Sequence, residues 1–194
     1  MGKFIIDDSK SRYDQIANER DFVLSIDSLC AIHKTLFEGI YPFAGIIMNY
    51  TGHDKASIMA IYQALIQEFI HQFELDYKTM SREDVVKNIS RLTANIWSIH
   101  PFIDGNTRTI YFFIHNYLKS LGYEIDLNIF KQNTVYFKNA IVRAVYENKD
   151  YNIVPDISGL ERYFSKCLID KDIKLDIEDV LYDEEFARYE GIKR

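Results

Sequence analysis

Proline is scarce in this chain: Pro42, Pro101 and Pro155 are the only three in 194 residues. That excludes proline-rich linkers and polyproline ligands, and it leaves long stretches free to run as uninterrupted helix. Glycine is limited to eight residues, mostly between periodic segments, and no flexible linker, repeat or low-complexity stretch is present. Cysteine is limited to Cys30 and Cys167, which excludes a disulfide framework or a cysteine-rich metal site. Two buried free thiols in a reducing compartment are expected. An excess of basic residues is also missing: 23 Lys and Arg stand against 29 Asp and Glu, for a net charge of −6. A general nucleic-acid binder is therefore disfavoured, although a locally cationic pocket can still take a nucleotide. No apolar run is long enough for a signal peptide or a membrane helix. Gly2 invites myristoylation, but Ile6 stands where Ser or Thr is required. A cytoplasmic protein with no membrane association is expected. Export by a specialised secretion system is the alternative.

What the chain does have is apolar mass. Hydrophobic residues make up 47% and aromatic residues 14% of it, enough to bury the core of one domain spanning 1–194. Helical periodicity dominates. Residues 55–75 align Ile58, Ile61, Leu65, Phe69 and Phe73 near one face. Residues 82–99 align Val85, Ile89, Leu92, Ile96 and Ile99, opened by a Ser81–Asp84 capping pair. Residues 107–121 align Ile110, Phe113, Ile114, Tyr117, Leu118 and Leu121, with Gly122 as a stop. Further helices are expected over 20–38, 133–147, 158–168 and 177–190, the third with a Ser158–Glu161 capping box. Residues 40–52 break the pattern. Their proline, glycines and β-favouring residues suggest a short hairpin. The expected fold is all-α, a helical bundle with one short β-hairpin.

Two apolar helices are interrupted by His100-Pro101-Phe102-Ile103-Asp104-Gly105-Asn106-Thr107-Arg108. Pro101 ends the first helix near His100, and Asp-Gly-Asn favours a tight turn. The second helix begins near Asn106 or Thr107, so its free N–H groups face the loop and form an anion site. Arg108 in that first turn is slightly unfavourable for the helix unless an anion is bound, and guanidinium grips phosphate with paired hydrogen bonds. Asp104 beside bound phosphate suits Mg²⁺. His100, with an ordinary pKa of about 6.5, can take a proton near neutrality. Singly, each has a plain reading: a helix-end histidine, a turn, a solvated arginine. Together they suggest phosphoryl or nucleotidyl transfer to a hydroxyl. Phe102 and Ile103 are read as core anchors for the loop.

This stretch resembles the Fic motif, His-Pro-Phe-x-Asp/Glu-Gly-Asn-Gly-Arg-x-x-Arg, and departs from it between His100 and Arg108 only at Thr107. LFEGIYPFAG at 36–45 resembles the family segment leading into a hairpin called the flap, with Tyr41, Ala44 and Gly45 in place and Phe43 where Trp is common. The resemblance spans roughly 25–150, with C-terminal helices over 155–194 beyond it. It implies a protein adenylyltransferase that moves AMP from ATP to a Ser, Thr or Tyr hydroxyl and releases pyrophosphate. It implies that His100 deprotonates the hydroxyl and that Asp104 holds Mg²⁺. Gly105, Asn106 and Thr107 would cradle the phosphates, and Arg108 would stabilise them. The flap, including Gly45, Ile46, Ile47 and Met48, would dock the target by backbone pairing. The implied partners are ATP and a hydroxyl-bearing protein target. Self-modification and homo-oligomerisation stay open.

Two departures bear on this reading. Thr107 adds bulk and a hydroxyl where the family has glycine; death-on-curing kinases carry Lys there and move the γ-phosphate instead. Tyr111 stands where the second family arginine grips that phosphate, with Lys119 and Arg143 as candidate substitutes. Many relatives also carry an inhibitory helix with Ser/Thr-x-x-x-Glu-Gly/Asn. Here Glu190-Gly191, within 177–191, fits its end but Phe186 occupies the hydroxyl position. Glu190 is a candidate inhibitory residue, acting through Tyr111 or Arg108; an ordinary acidic amphipathic helix is the alternative. A nucleotide-binding or regulatory module without transfer, or an enzyme moving another nucleotide or phosphate, is the alternative function.

Overall fold

The computed structural model describes residues 4–19, 21–48, 54–149 and 153–181. Eight α-helices account for most of them: α1 (Phe4–Ala17), α2 (Ile26–Phe37), α3 (Lys55–Phe73), α4 (Arg82–Ile99), α5 (Asn106–Ser120), α6 (Leu127–Gln132), α7 (Thr134–Arg143) and α8 (Ser158–Leu168). A 3₁₀ turn follows at Ile177–Val180. No strand is present among the described residues beyond an isolated bridge between Asn148 and Ile153. The fold is the expected helical one.

The helices divide into two compact units. One comprises Met1–Thr79 with Asn95–Glu124, the other Met80–Ala94 with Ile125–Arg194, so that α4 contributes to both. In the first unit α5 is the central element. Ile110 to Leu118 are buried without interruption, so this helix is enclosed on every side rather than along one stripe. It packs against α2 and α1. Phe113 meets Phe22 edge-on at 5.3 Å and Phe69 at 5.5 Å, while Phe112 meets Tyr13 at 4.9 Å. Helix α1, which the periodicity does not predict, is tied in through helix ends. Asn116 Nδ2 and Lys119 Nζ donate to the carbonyls of Ile16 and Ala17 at 3.0 and 2.8 Å. Arg12 in turn donates to the carbonyls of Leu36 and Glu38 at the end of α2. Each pair satisfies carbonyls that a helix C-terminus leaves unpartnered.

The second unit is built around α7 and α8, with Phe137 against Tyr163 at 4.9 Å and edge-on to Phe130 at 5.8 Å. Cys167 is buried there and Cys30, in the first unit, is half-buried; both are free thiols.

Several local expectations hold. Ser81 Oγ accepts from the Asp84 N–H at 3.1 Å and donates to its carboxylate at 2.7 Å. Others differ. Helix α2 starts at Ile26 because Ser25 caps it, accepting from Ser28 N. The predicted helix 133–147 is shorter and is preceded by a separate turn of helix, because Asn133 leaves helical geometry at φ −127°. The Ser158–Glu161 box does not form; Asp156 accepts from the Ser158 N–H instead. Phe73 is 70% exposed, off the buried face that Ile61, Leu65 and Phe69 share. Residues 41–48 form successive turns rather than paired strands, with Ala44 N–H bonded to Tyr41 C=O and Ile46 N–H to Phe43 C=O. The remainder of the predicted hairpin and residues 182–194, with Phe186, Glu190 and Gly191, lie outside the described residues.

Candidate active site

All the motif residues lie in the first unit, on the connection between α4 and α5 and in the first turn of α5. His100 is the only non-glycine residue with positive φ among those described, at 54°. Pro101 disfavours ordinary helical geometry at the residue before it, and the His100 N–H is satisfied by the Trp97 carbonyl at 3.1 Å. Left-handed geometry at an imidazole-bearing residue is strained and persists because the flanking structure imposes it. The His100 pKa is lowered from its ordinary value, chiefly by burial and partly opposed by the Trp97 carbonyl and the Asp104 charge. The ring is thus held neutral and able to accept a proton. Trp97 stands edge-on to it at 5.7 Å.

The loop is shaped from beneath by Asn106. This buried side chain accepts from the Phe102 N–H at 3.0 Å and donates to the Phe102 carbonyl at 2.6 Å. Phe102 is fully buried, as its anchor role predicts. What Asn106 has left to offer an anion is its backbone N–H and the second hydrogen of Nδ2. Gly105 caps α5 at φ 80° and provides no side-chain cap, whereas Ser25, Asp54 and Asp126 cap α2, α3 and α6. A Cβ at Gly105 would fall 2.3 Å from Phe37 Cε2, so the loop can approach α2 this closely only with glycine here.

Around this uncapped helix end stand the remaining candidates. Asp104 is exposed; Oδ1 accepts from the Gly105 N–H at 2.6 Å and Oδ2 from the Tyr41 hydroxyl at 2.8 Å. The exposed Arg108 lies over the Phe37 ring, 4.7 Å from its centroid. Thr107 Oγ1 accepts from Trp97 Nε1 at 3.2 Å, so its hydroxyl is used to link the two helices that flank the loop. Among the flap residues, the N–H groups of Ala44, Gly45, Ile46 and Met48 are all engaged internally, Met48 with the Pro101 carbonyl at 3.0 Å. Ile47 is buried and Ile46 exposed. Backbone pairing at Ala44, Gly45, Ile46 and Met48 would therefore use their carbonyls.

Both candidate substitutes for the second arginine have partners within their own units. Lys119 is bonded to the Ala17 carbonyl, and Arg143, in the second unit, is held by Asp156 and the Val154 carbonyl. Tyr111 is buried, packed edge-on to Phe112 and 6.1 Å from His115. It belongs to the core.

Sequence reasoning missed His33, Phe37 and Trp97. The buried line of α2 runs Leu29, His33, Phe37 at i, i+4 spacing, and a polar residue on that line was the available signal. His33 Nε2 donates to the Asp104 carbonyl at 3.0 Å and its Nδ1 accepts from the Gly45 N–H at 2.8 Å.

No group of three or more His, Cys, Asp or Glu among the described residues could enclose a metal ion. A single exposed carboxylate beside an uncapped helix end still fits Mg²⁺, which is commonly held by one or two carboxylates together with phosphate oxygens. Each carboxylate oxygen of Asp104 keeps a lone pair for it despite its present hydrogen bond.

Residues 23–118 match the Fic/DOC family profile. The chain is 31% identical over 121 residues, 59% of its length, to a Sinorhizobium fredii protein named probable protein adenylyltransferase y4lH, spanning 62% of that protein. It is 25% identical over 160 residues to a protein adenylyltransferase of Bartonella henselae, spanning 69% of this chain and 28% of that one. The chain thus spans less than two thirds of either relative. Among solved structures, the FIC domain of the Bep5 protein of Bartonella clarridgeiae superposes with a TM-score of 0.58 at 16% identity, covering 92% of this chain and 88% of that one. The N-terminal Fic domain of an effector from Bartonella sp. AR 15-3 gives 0.57 at 16% identity, covering 91% and 85%. These share the fold.

Proposed function

Since this chain belongs to the Fic/DOC family, we propose that it is a protein adenylyltransferase, moving AMP from ATP to a protein hydroxyl. The observation that carries this reading is the uncapped N-terminus of α5 at Gly105, with His100 and Asp104 on the loop that leads into it and Arg108 in the first turn of the helix. Backbone N–H groups at that end and the Arg108 guanidinium bind phosphate oxygens and offset charge that builds during transfer. Phe37 beneath the guanidinium limits where it can point. Mg²⁺, where bound, would be held by Asp104 and would neutralise phosphate charge. The acceptor hydroxyl gives its proton to the neutral His100 imidazole as its oxygen bonds to the α-phosphorus. The bond from that phosphorus to the bridging oxygen breaks, and pyrophosphate leaves with the electron pair.

One observation favours a second reading. Tyr111 is in the core, and Lys119, of the same unit, is bonded to the Ala17 carbonyl, so neither supplies the cation that the second family arginine would. A looser hold on the terminal phosphate favours weak transfer, or transfer of a different group. One experiment decides between them. The protein is incubated with each nucleoside triphosphate and Mg²⁺, and intact mass is read on the protein itself and on candidate acceptors. AMP, UMP and phosphate give distinct mass increments. His100→Ala should slow labelling about 10²–10⁴-fold, the usual contribution of a general base. Equal labelling by His100→Ala and the parent would sink the assignment.

A further inference from the structure

His33 has 0% exposure, yet both its ring nitrogens are used. Its two partners dictate its tautomer. The Gly45 N–H can only donate, so Nδ1 must accept; the Asp104 carbonyl can only accept, so Nε2 carries the proton. A single neutral form satisfies both bonds. The ring is clamped flat against Phe102, with centroids 3.9 Å apart and planes at 12°, and tilted against Phe37 at 4.9 Å. It cannot turn without breaking both hydrogen bonds and that stack.

The bond to Asp104 fixes more than a carbonyl. A trans peptide is planar, with C=O and N–H pointing in opposite directions. Holding the Asp104 carbonyl against buried His33 therefore turns the Gly105 N–H the opposite way, where Asp104 Oδ1 receives it. The same bond thus sets the carboxylate of Asp104 and the corner from which α5 begins. The bond to Gly45 fixes the flap turn. That turn lies so close to α2 that a Cβ at Gly45 would fall 2.9 Å from Lys34 Cβ and 3.2 Å from the Cys30 carbonyl oxygen.

We propose that His33 is a positioning residue: one imidazole spans the flap and the Asp104–Gly105 corner, and so sets the register of a docked acceptor over the bound phosphates. This rests on the transfer reading for its consequence, and on hydrogen-bond geometry alone for its mechanism. Met48 N–H to Pro101 C=O is a second tie between the same two segments, so the flap follows the loop at Gly45 and at Met48.

The test separates the two arms. In His33→Asn the amide oxygen replaces Nδ1, keeping the Gly45 bond and losing the Asp104 bond. In His33→Gln the amide nitrogen replaces Nε2 and does the reverse. Amide exchange is followed at Gly45 and Gly105, and affinity for Mg²⁺ with a non-hydrolysable α,β-methylene ATP is measured by calorimetry. The Asn variant should keep Gly45 protected, speed exchange at Gly105 and weaken nucleotide binding about three- to ten-fold, the worth of one hydrogen bond. The Gln variant should expose Gly45 by a similar factor and leave nucleotide affinity unchanged. If the two variants lose both properties alike, in step with their Tm, or lose neither, the proposal fails. Nitrogen NMR of the unaltered protein gives an independent check: a proton on Nδ1 instead of Nε2 would overturn it. If the unaltered protein does not bind the nucleotide, the transfer reading falls, and the opposite exchange responses at Gly45 and Gly105 still decide the role of His33.

Discussion

Asn106→Ala should destabilise the protein more than any change at the exposed charges of the site. Asn106 is 4% exposed and Phe102 is 0% exposed, so no water replaces the lost side chain easily. Deleting it leaves the Phe102 N–H and carbonyl, now bonded at 3.0 and 2.6 Å, both buried and unpaired. Each such group costs about 1–3 kcal/mol, so the pair costs roughly 2–6. Alanine is the better helix former at the first position of α5, which returns at most about 0.7 kcal/mol. A net loss of about 1–5 kcal/mol remains, a sizeable part of the roughly 5–15 that holds a domain together. Asn106→Asp should fare little better at neutral pH. It keeps an acceptor for the N–H but sets a carboxylate oxygen against the Phe102 carbonyl. Urea unfolding followed through Trp97 fluorescence reads this directly, since the single tryptophan donates to Thr107 beside the loop. Arg108→Ala is the control. It removes only an exposed cation resting on Phe37, worth about 0.5–1 kcal/mol. An Asn106→Ala loss under about 1 kcal/mol, or an Asn106→Asp protein as stable as the parent, would refute the reasoning.

Gly105→Ala meets two obstacles. At φ 80° a Cβ costs about 1–2 kcal/mol, and here it would also lie 2.3 and 2.5 Å from the Phe37 ring. A clear drop in Tm is expected, and Phe37→Leu added to it should recover part of the loss by vacating the ring edge. The pH profile of labelling follows from His100. Burial lowers its pKa below the ordinary 6.5, and the base works only when neutral. Activity should therefore be level through neutrality and fall as pH drops through a midpoint below 6.5; a midpoint above that value would contradict the burial assigned to the ring.

Short-range pattern alone determined the helical class, the positions of α3, α4, α5 and α8, the Ser81–Asp84 cap, and the loop from His100 to Gly105 between two apolar helices. Each depends on spacing along a few turns of chain or on turn chemistry within a few residues, and both are written locally. The roles on that loop were only partly legible. Asn106 stood in the motif, but that its amide is committed to both backbone groups of Phe102 appears only when the loop closes. The tertiary structure also decided that Tyr111 enters the core, that residues 41–48 turn rather than pair, and that α1 is held through Asn116, Lys119 and Arg12. Above all it decided His33. Its partner Asp104 lies 71 positions away, and no local period joins a buried imidazole on α2 to a carbonyl beyond α4. Such a bond exists only because packing α2 on α5 brings the two together, and packing is a property of the assembled core, not of any one segment.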